Sequence, residues 1–340
     1  MSFRIGYVGD VMVKISVIMP VFNDEKNIKS SINSILNQTL DDIEIICIDD
    51  GSTDNSFNIL KNFSKKDNRI RVFAQENQGS GKARNKGLSE VKGEYVAFLD
   101  SDDYIVDETS FSKLYDEAKK YDMEMVSGGI QFVINGNVSY ESRCFKPIKQ
   151  INIKPVDDYG IPWYFYKNIF KREFLIENDI KFPDLLRGQD PIFLTKILSK
   201  LNYFLEVPVL YYSYNSPNEN KINTSLKYYD FFVHFYEVFK IMLDKKKFNK
   251  MFLEYSEILI NMPNRDIMIN DEKELQSILK VMDNIQHLYI DYGNQNLLDK
   301  VCTSFNEIIN KVNIDNIDIS ISSNVYNQYS KNITISNKSF

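Results

Sequence analysis

Cysteine, histidine and tryptophan are scarce in this chain, which has three, two and one of them among 340 residues. Cys47, Cys144 and Cys302 stand far apart and form no Cys-x-x-Cys pair, which fits a reducing compartment and argues against disulfides and a thiolate zinc site. His234 and His287 have no candidate ligand beside them in sequence, which argues against a histidine zinc site. Basic residues do not accumulate either. The 41 Lys and Arg against 47 Asp and Glu leave a net charge of −6 and no basic tract, so nucleic acid is not an expected partner. No apolar run approaches the roughly 20 residues that cross a bilayer. The lead 1–14 is broken by Gly9-Asp10 and lacks the apolar centre of a signal peptide. The expectation is a cytoplasmic protein, with peripheral membrane association left open.

A chain of this length holds one large α/β domain and a smaller appendage. From 15 to about 103, short β-rich apolar runs alternate with amphipathic helical patterns, an arrangement that forces right-handed crossovers and a parallel sheet. Strands are predicted at 15–19, 43–48, 70–73 and 95–99, with Ile28, Ile32, Ile35 and Leu36 at helical spacing between the first two. A helix over 110–120 and a strand over 123–132 follow, and Asn135-Gly136 marks a hairpin turn into a returning strand over 138–144. Helical segments resume at 171–177 and 191–200.

Beyond about Ser225 glycine nearly vanishes, and helical patterns at 228–243, 248–260 and 272–290 mark a helical appendage. The tail after Ile314, rich in Ser, Asn and Ile, reads as a strand pair or a poorly ordered end. The domains are therefore expected at 1–225 and 226–340. The stripe of Tyr228, Phe231, Phe232, Phe235, Tyr236 and Phe239 reads as core packing against the first domain, with self-association through these helices as the alternative.

Four strand ends carry the chemistry. The first ends in Pro20-Val21-Phe22-Asn23-Asp24 and the second in Asp49-Asp50-Gly51-Ser52-Thr53-Asp54. The third leads to Gln78-Gly79-Ser80-Gly81, and the fourth reaches Asp100-Ser101-Asp102-Asp103. In open α/β sheets, ligands bind at these C-terminal ends. Three carboxylates within four residues repel one another unless a cation or donors lie between them, which points to a divalent metal; the alternative is a solvent-facing turn. An aromatic ring, a carboxylate able to accept from a base, a glycine loop and an acid pair on one edge suit a nucleotide carrying a diphosphate. The glycine loop lacks a third glycine and follows the third strand, which argues against a dinucleotide fingerprint.

The runs Ile-Ser-Val-Ile-Met-Pro-Val-Phe-Asn, Ile-Asp-Asp-Gly-Ser-Thr-Asp-Asn-Ser, Ala-Arg-Asn-Lys-Gly-Leu and Phe-Leu-Asp-Ser-Asp-Asp, in this order and spacing, resemble family 2 of the inverting glycosyltransferases. The resemblance continues through Trp163, Phe170 to Leu175, Ile180-Lys181-Phe182 and Gly188-Gln189-Asp190-Pro191, and fades after Tyr211-Tyr212. It covers about the first two-thirds of the chain. It implies a GT-A type fold, with a Rossmann-like, mostly parallel sheet flanked by helices. It also implies a metal-dependent transfer, with inversion, of a sugar from a nucleotide donor, expected to be a UDP-sugar, to a hydroxyl of a saccharide or glycoconjugate.

On this resemblance Asp102 ligates Mn²⁺ or Mg²⁺ between the donor phosphates, with Asp100 near the ribose and the metal and Ser101 beside them. Asp50 accepts from the uracil ring, Phe22 packs on the base and Pro20 shapes the floor. Gly79 permits close backbone approach to the donor, and Arg84 approaches the strand-four carboxylates or the ribose. Asp190 is the general base, and Trp163 and Asp103 lie toward the acceptor. Each has a plainer alternative: a core aromatic for Phe22 and Trp163, an internal ion pair for Arg84, turn geometry for Gly79, and a cap for Asp103 and Asp190.

The chain departs from the family pattern at Tyr211-Tyr212-Ser213-Tyr214-Asn215, where a basic residue is usual; Lys221, another basic side chain or the metal alone would then meet the phosphate charge. Two other functions stay open. One is a non-catalytic binding or interaction module derived from this fold. The other is a sugar nucleotidyltransferase, which calls for a basic glycine-rich loop where Pro20 to Asp24 stand.

Overall fold

The computed structural model describes residues 12–134, 136–139, 147–216, 225–261, 268–269, 272–310 and 313–314. Its first half runs β1 (Ile15–Val21), α1 (Ile28–Leu36), β2 (Ile43–Asp49), α2 (Ser56–Ser64), β3 (Ile70–Ala74), α3 (Ser80–Glu90), β4 (Tyr95–Phe98), β5 (Tyr104–Ile105), α4 (Ser110–Tyr121) and β6 (Met125–Ile134). There follow β7 (Asn137–Ser139), β8 (Asn152–Pro155), β9 (Asn168–Lys171), α5 (Arg172–Glu177), α6 (Gln189–Lys200) and β10 (Tyr203–Ser216). The remainder is α7 (Ser225–Met242), α8 (Lys245–Ile260), β11 (Met268–Ile269), α9 (Glu272–Tyr292), α10 (Gln295–Asn310) and β12 (Asn313–Ile314).

Two units partition the chain, and not at a single cut near 225. The first takes Met1–Val156, Tyr164–Asp184 and Lys200–Asn218; the second takes Asp157–Trp163, Leu185–Ser199 and Glu219–Phe340. In the first, the sheet runs β3-β2-β1-β4-β9-β6-β10-β5, with β7 on β6 and β8 on β10. Pairs β3/β2, β2/β1 and β1/β4 are parallel, whereas β9 enters antiparallel between β4 and β6, so the sheet is mixed.

All seven residues of β1 are buried, as expected for a central strand covered on both faces. Its register sets Val21 opposite Asp49 and Ile18 opposite Phe98. The Asp50 N–H continues the ladder to the Val21 carbonyl, and the Leu99 N–H to that of Ile18. Phe22, Asp50 and Asp100 thereby leave the sheet at one edge.

β10 is the element that periodicity does not announce. Pro208 interrupts its apolar run, and between Glu206 and Tyr212 its pairing with β6 shifts register, as a proline within a sheet requires. Of the predicted hairpin, Asn137–Ser139 pairs antiparallel with β6; its continuation over 140–144, with Cys144, lies outside the described residues, as do Lys221 and the tail beyond Ile314.

In the second unit, α7 to α10 share a core rich in aromatics. Phe232, Phe235 and Phe239 are fully buried. Phe239 packs edge-on to Tyr289 of α9 at 5.2 Å and against Phe252 of α8 at 5.0 Å, and Phe232 meets Phe305 of α10 at 6.0 Å. Phe232, Phe235 and Phe239 of the stripe thus lie in the interior of the helical unit itself, while Phe231 and Tyr236 are half-buried. Among the described residues no helix is long and apolar enough to cross a membrane.

Candidate functional site

At the sheet edge of the first unit, a cavity of about 220 Å³ gathers Pro20, Val21 and Phe22 from the end of β1, Asp50 after β2, Ser80 and Arg84 from α3, and Asp100, Ser101 and Asp102 after β4. These segments are far apart in sequence and are brought to one edge by the parallel register. Phe22 is 49% exposed, so the ring is presented to solvent and is not part of the core.

Asp50 is buried, and its carboxylate organises the loop that follows β3. Oδ1 accepts from Gln75 Nε2 at 2.7 Å and from the Gln78 N–H at 2.9 Å, and Oδ2 accepts from the Gly79 N–H at 2.8 Å. Gly79 has a φ of +89°, a conformation that L side chains disfavour, with open space where a Cβ would stand. Glycine is therefore required there by the backbone and not by crowding. Asp49 acts locally, accepting the Ser52 N–H at 3.2 Å.

The acid turn after β4 is braced from two sides. Arg84, almost wholly buried, donates from Nη2 to Asp100 Oδ1 at 2.7 Å, and its guanidinium lies 5.0 and 5.3 Å from the rings of Phe165 and Phe182. From β10, the Tyr212 hydroxyl donates to Asp103 Oδ2 at 2.6 Å and accepts the Asp100 N–H at 3.3 Å, while the Asn215 N–H donates to Asp103 Oδ1 at 2.7 Å. The Asn215 side-chain amide donates to the Asp102 carbonyl. Tyr166 stacks on Tyr212 at 4.5 Å and holds it in place.

The three carboxyls consequently differ. Asp103 is only 2% exposed, with both oxygens taken by β10, so it lies beneath the cavity and anchors it. Burial first, then Asp100 and Asp102, push it up to about 8. Asp102 is solvent-accessible at the cavity wall. Desolvation by the surrounding wall, then Asp100, push its carboxyl up to about 6. Among the described residues, Asp100 alone of the three is ion-paired, to Arg84. The cluster therefore holds more negative charge than it neutralises, and a bound cation would relieve it.

Asn85 closes a reciprocal pair with Phe182: its amide donates to the Phe182 carbonyl and accepts the Phe182 N–H, both at 2.9 Å. Asp190 belongs to the second unit, in the first turn of α6. Trp163, also in that unit, is half-buried and donates from Nε1 to the Tyr255 hydroxyl at 3.2 Å.

Residues 16–178 match the family model described as glycosyl transferase family 2. They form a family 2 glycosyltransferase domain. The chain is 34% identical over 183 residues to EpsJ of Bacillus subtilis (strain 168), an uncharacterized glycosyltransferase, covering 50% of this chain and 53% of that protein. It is 34% identical over 186 residues to the poly(ribitol-phosphate) beta-glucosyltransferase of Bacillus spizizenii, covering 53% of this chain and 29% of that protein. The chain spans about half the length of EpsJ and less of the other. In fold, TarS 1–349 of S. aureus in complex with UDP superimposes with a TM-score of 0.67 at 21% identity, over 86% of this chain and 90% of that one. The family 2 domain thus has the GT-A type α/β fold, with helices following it.

Two residues of the first unit escaped sequence reading, Tyr212 and Asn215. The signal for them was the departure itself: a polar pair at the end of an aromatic run, where the family carries a basic residue.

Proposed function

We propose that the protein transfers a sugar, with inversion, from a UDP-sugar to a hydroxyl of a saccharide or glycoconjugate, using Mn²⁺ or Mg²⁺. The observation that carries the reading is the single cavity in which Phe22, Asp50, Ser80, Arg84, Asp100 and Asp102 meet. Phe22 offers an exposed face to a base, and Arg84 together with the N-terminus of α3 offers positive potential to a diphosphate. TarS, whose structure is known with UDP and with UDP-GlcNAc, has the same fold.

A metal fits the donor set. Among the described residues no group of three or more His, Cys, Asp or Glu is arranged to hold an ion alone. That suits a hard cation which takes one or two carboxylates and completes its shell with phosphate oxygens and water. Asp102 and Asp100 are its proposed ligands, and the chemistry it would supply is charge neutralisation of the departing diphosphate. Asp190 is the proposed general base, since inversion requires one carboxylate to take the acceptor hydroxyl proton as its oxygen attacks opposite the nucleotide.

The test is a calorimetric screen of nucleotides and nucleotide sugars with and without Mn²⁺. UDP and one UDP-sugar are expected to bind, more tightly with the metal. No response to any nucleotide would overturn the reading in favour of a non-catalytic module.

A further inference from the structure

Within the second unit, one face of α7 grips the turn that leads into α6. Asp230 Oδ2 accepts the Leu186 N–H at 2.6 Å. Four residues along the same face, the His234 ring lies against Gly188 so closely that a Cβ there would stand 2.5 Å from His234 Cβ and 2.6 Å from Cγ. Gly188 has a φ of +81°, so its backbone as well as its space calls for glycine. Both grips fall just ahead of Asp190.

His234 is itself fixed. It is 2% exposed, and its Nε2 lies 2.9 Å from the Tyr255 hydroxyl, which receives the Trp163 indole N–H at 3.2 Å. Indole can only donate, so the Tyr255 hydroxyl accepts from Trp163, and the hydroxyl and His234 Nε2 share the remaining proton according to the imidazole tautomer. Trp163, Tyr255 and His234 thus form a connected chain that ends at the loop before α6. Simple core filling would need neither this hydrogen-bonded chain nor a carboxyl group on the Leu186 amide.

We propose that Asp230 and His234 are positioning residues that fix the backbone of 186–188 and through it the placement of the Asp190 carboxylate. This rests on the reading of Asp190 as general base. Misplacing a base by about 1 Å costs on the order of 100-fold in rate.

The test compares Asp230→Ala, Asp230→Asn and Gly188→Ala with Asp190→Asn, following UDP release from the UDP-sugar that binds in the screen. Asp230→Ala is expected to lower kcat about tenfold or more, with the donor KM and UDP affinity unchanged, and to speed amide hydrogen exchange over 186–190. Asp230→Asn, which keeps an acceptor oxygen, is expected to restore most of both. Gly188→Ala is expected to reproduce the kcat loss, and serves if Asp230→Ala fails to fold. Normal kcat in Asp230→Ala and Gly188→Ala, with Asp190→Asn inactive, overturns the positioning role alone. Normal turnover by Asp190→Asn overturns the general-base reading instead.

Discussion

The Tyr212 hydroxyl joins two members of the acid turn: it donates to Asp103 at 2.6 Å and accepts the Asp100 N–H at 3.3 Å. A residue more than a hundred positions downstream therefore holds the turn that presents Asp102. Because β10 pairs in parallel with β6, tyrosine and asparagine arrive at the same sheet edge as the acids, and on this side the turn is held by neutral donors, while Arg84 supplies the charged brace on Asp100.

Tyr212→Phe removes only the hydroxyl and leaves a buried carboxyl oxygen and a backbone N–H without that partner. A loss of about 1–3 kcal/mol in stability is expected, measured as a lower urea midpoint at unchanged m-value. An unchanged midpoint would show that the network contributes nothing.

Asp50→Asn tests whether the carboxylate builds the loop. An amide presents a second donor to Gln75, Gln78 and Gly79, which all donate already. A loss of about 1–3 kcal/mol is expected from the buried mismatch, together with weaker UDP binding. If Asp50 served the base alone, calorimetry would register the weaker binding and thermal unfolding would not move.

The sequence made the first four strands and their acid ends legible because each strand is a short apolar run closed by turn residues, and local pattern suffices for that. Phe22, Asp50, Arg84 and Asp100 were readable as neighbours once the strands were taken as parallel. What pattern could not supply was long-range pairing. β9 is four residues long and antiparallel, and β10 is broken by Pro208. α10 was within reach: Leu298, Val301, Phe305 and Ile308 recur at helical spacing and are all buried. The burial of Asp103 was hidden because Asp102 and Asp103 are identical in type and adjacent, and only the β10 contacts tell them apart.

Asp102→Asn is expected to abolish the Mn²⁺ enhancement of UDP binding without lowering stability. The side chain is accessible, and in the metal-free protein its charge is opposed by desolvation and by Asp100. Retained metal enhancement would move the ligand role elsewhere in the turn.

Asp190→Asn keeps the size of the side chain and removes its basicity. Turnover of the UDP-sugar is expected to fall by about 10²–10⁴-fold, with UDP and Mn²⁺ affinities unchanged. A parallel fall in UDP affinity would instead assign Asp190 to donor binding.

His234 gives the protein an acid-sensitive point in the second unit. Burial first, then Arg187, push its pKa down to about 3, far below the ordinary histidine value of 6.5. The imidazole therefore stays neutral in the fold but binds a proton in the unfolded chain below about pH 6.5. Because the unfolded state holds more protons through that window, stability contributed by the neutral ring is complete above about pH 6.5 and declines as pH falls toward 3, by at most about 1.4 kcal/mol per pH unit. His234→Gln can still accept from Tyr255 and has no proton to gain. Urea unfolding at successive pH values is expected to give the variant a shallower slope between pH 6.5 and 3 than the natural chain. Identical slopes would mean that the ring protonates without unfolding its surroundings, and that the contacts with Tyr255 and Gly188 do not hold it neutral.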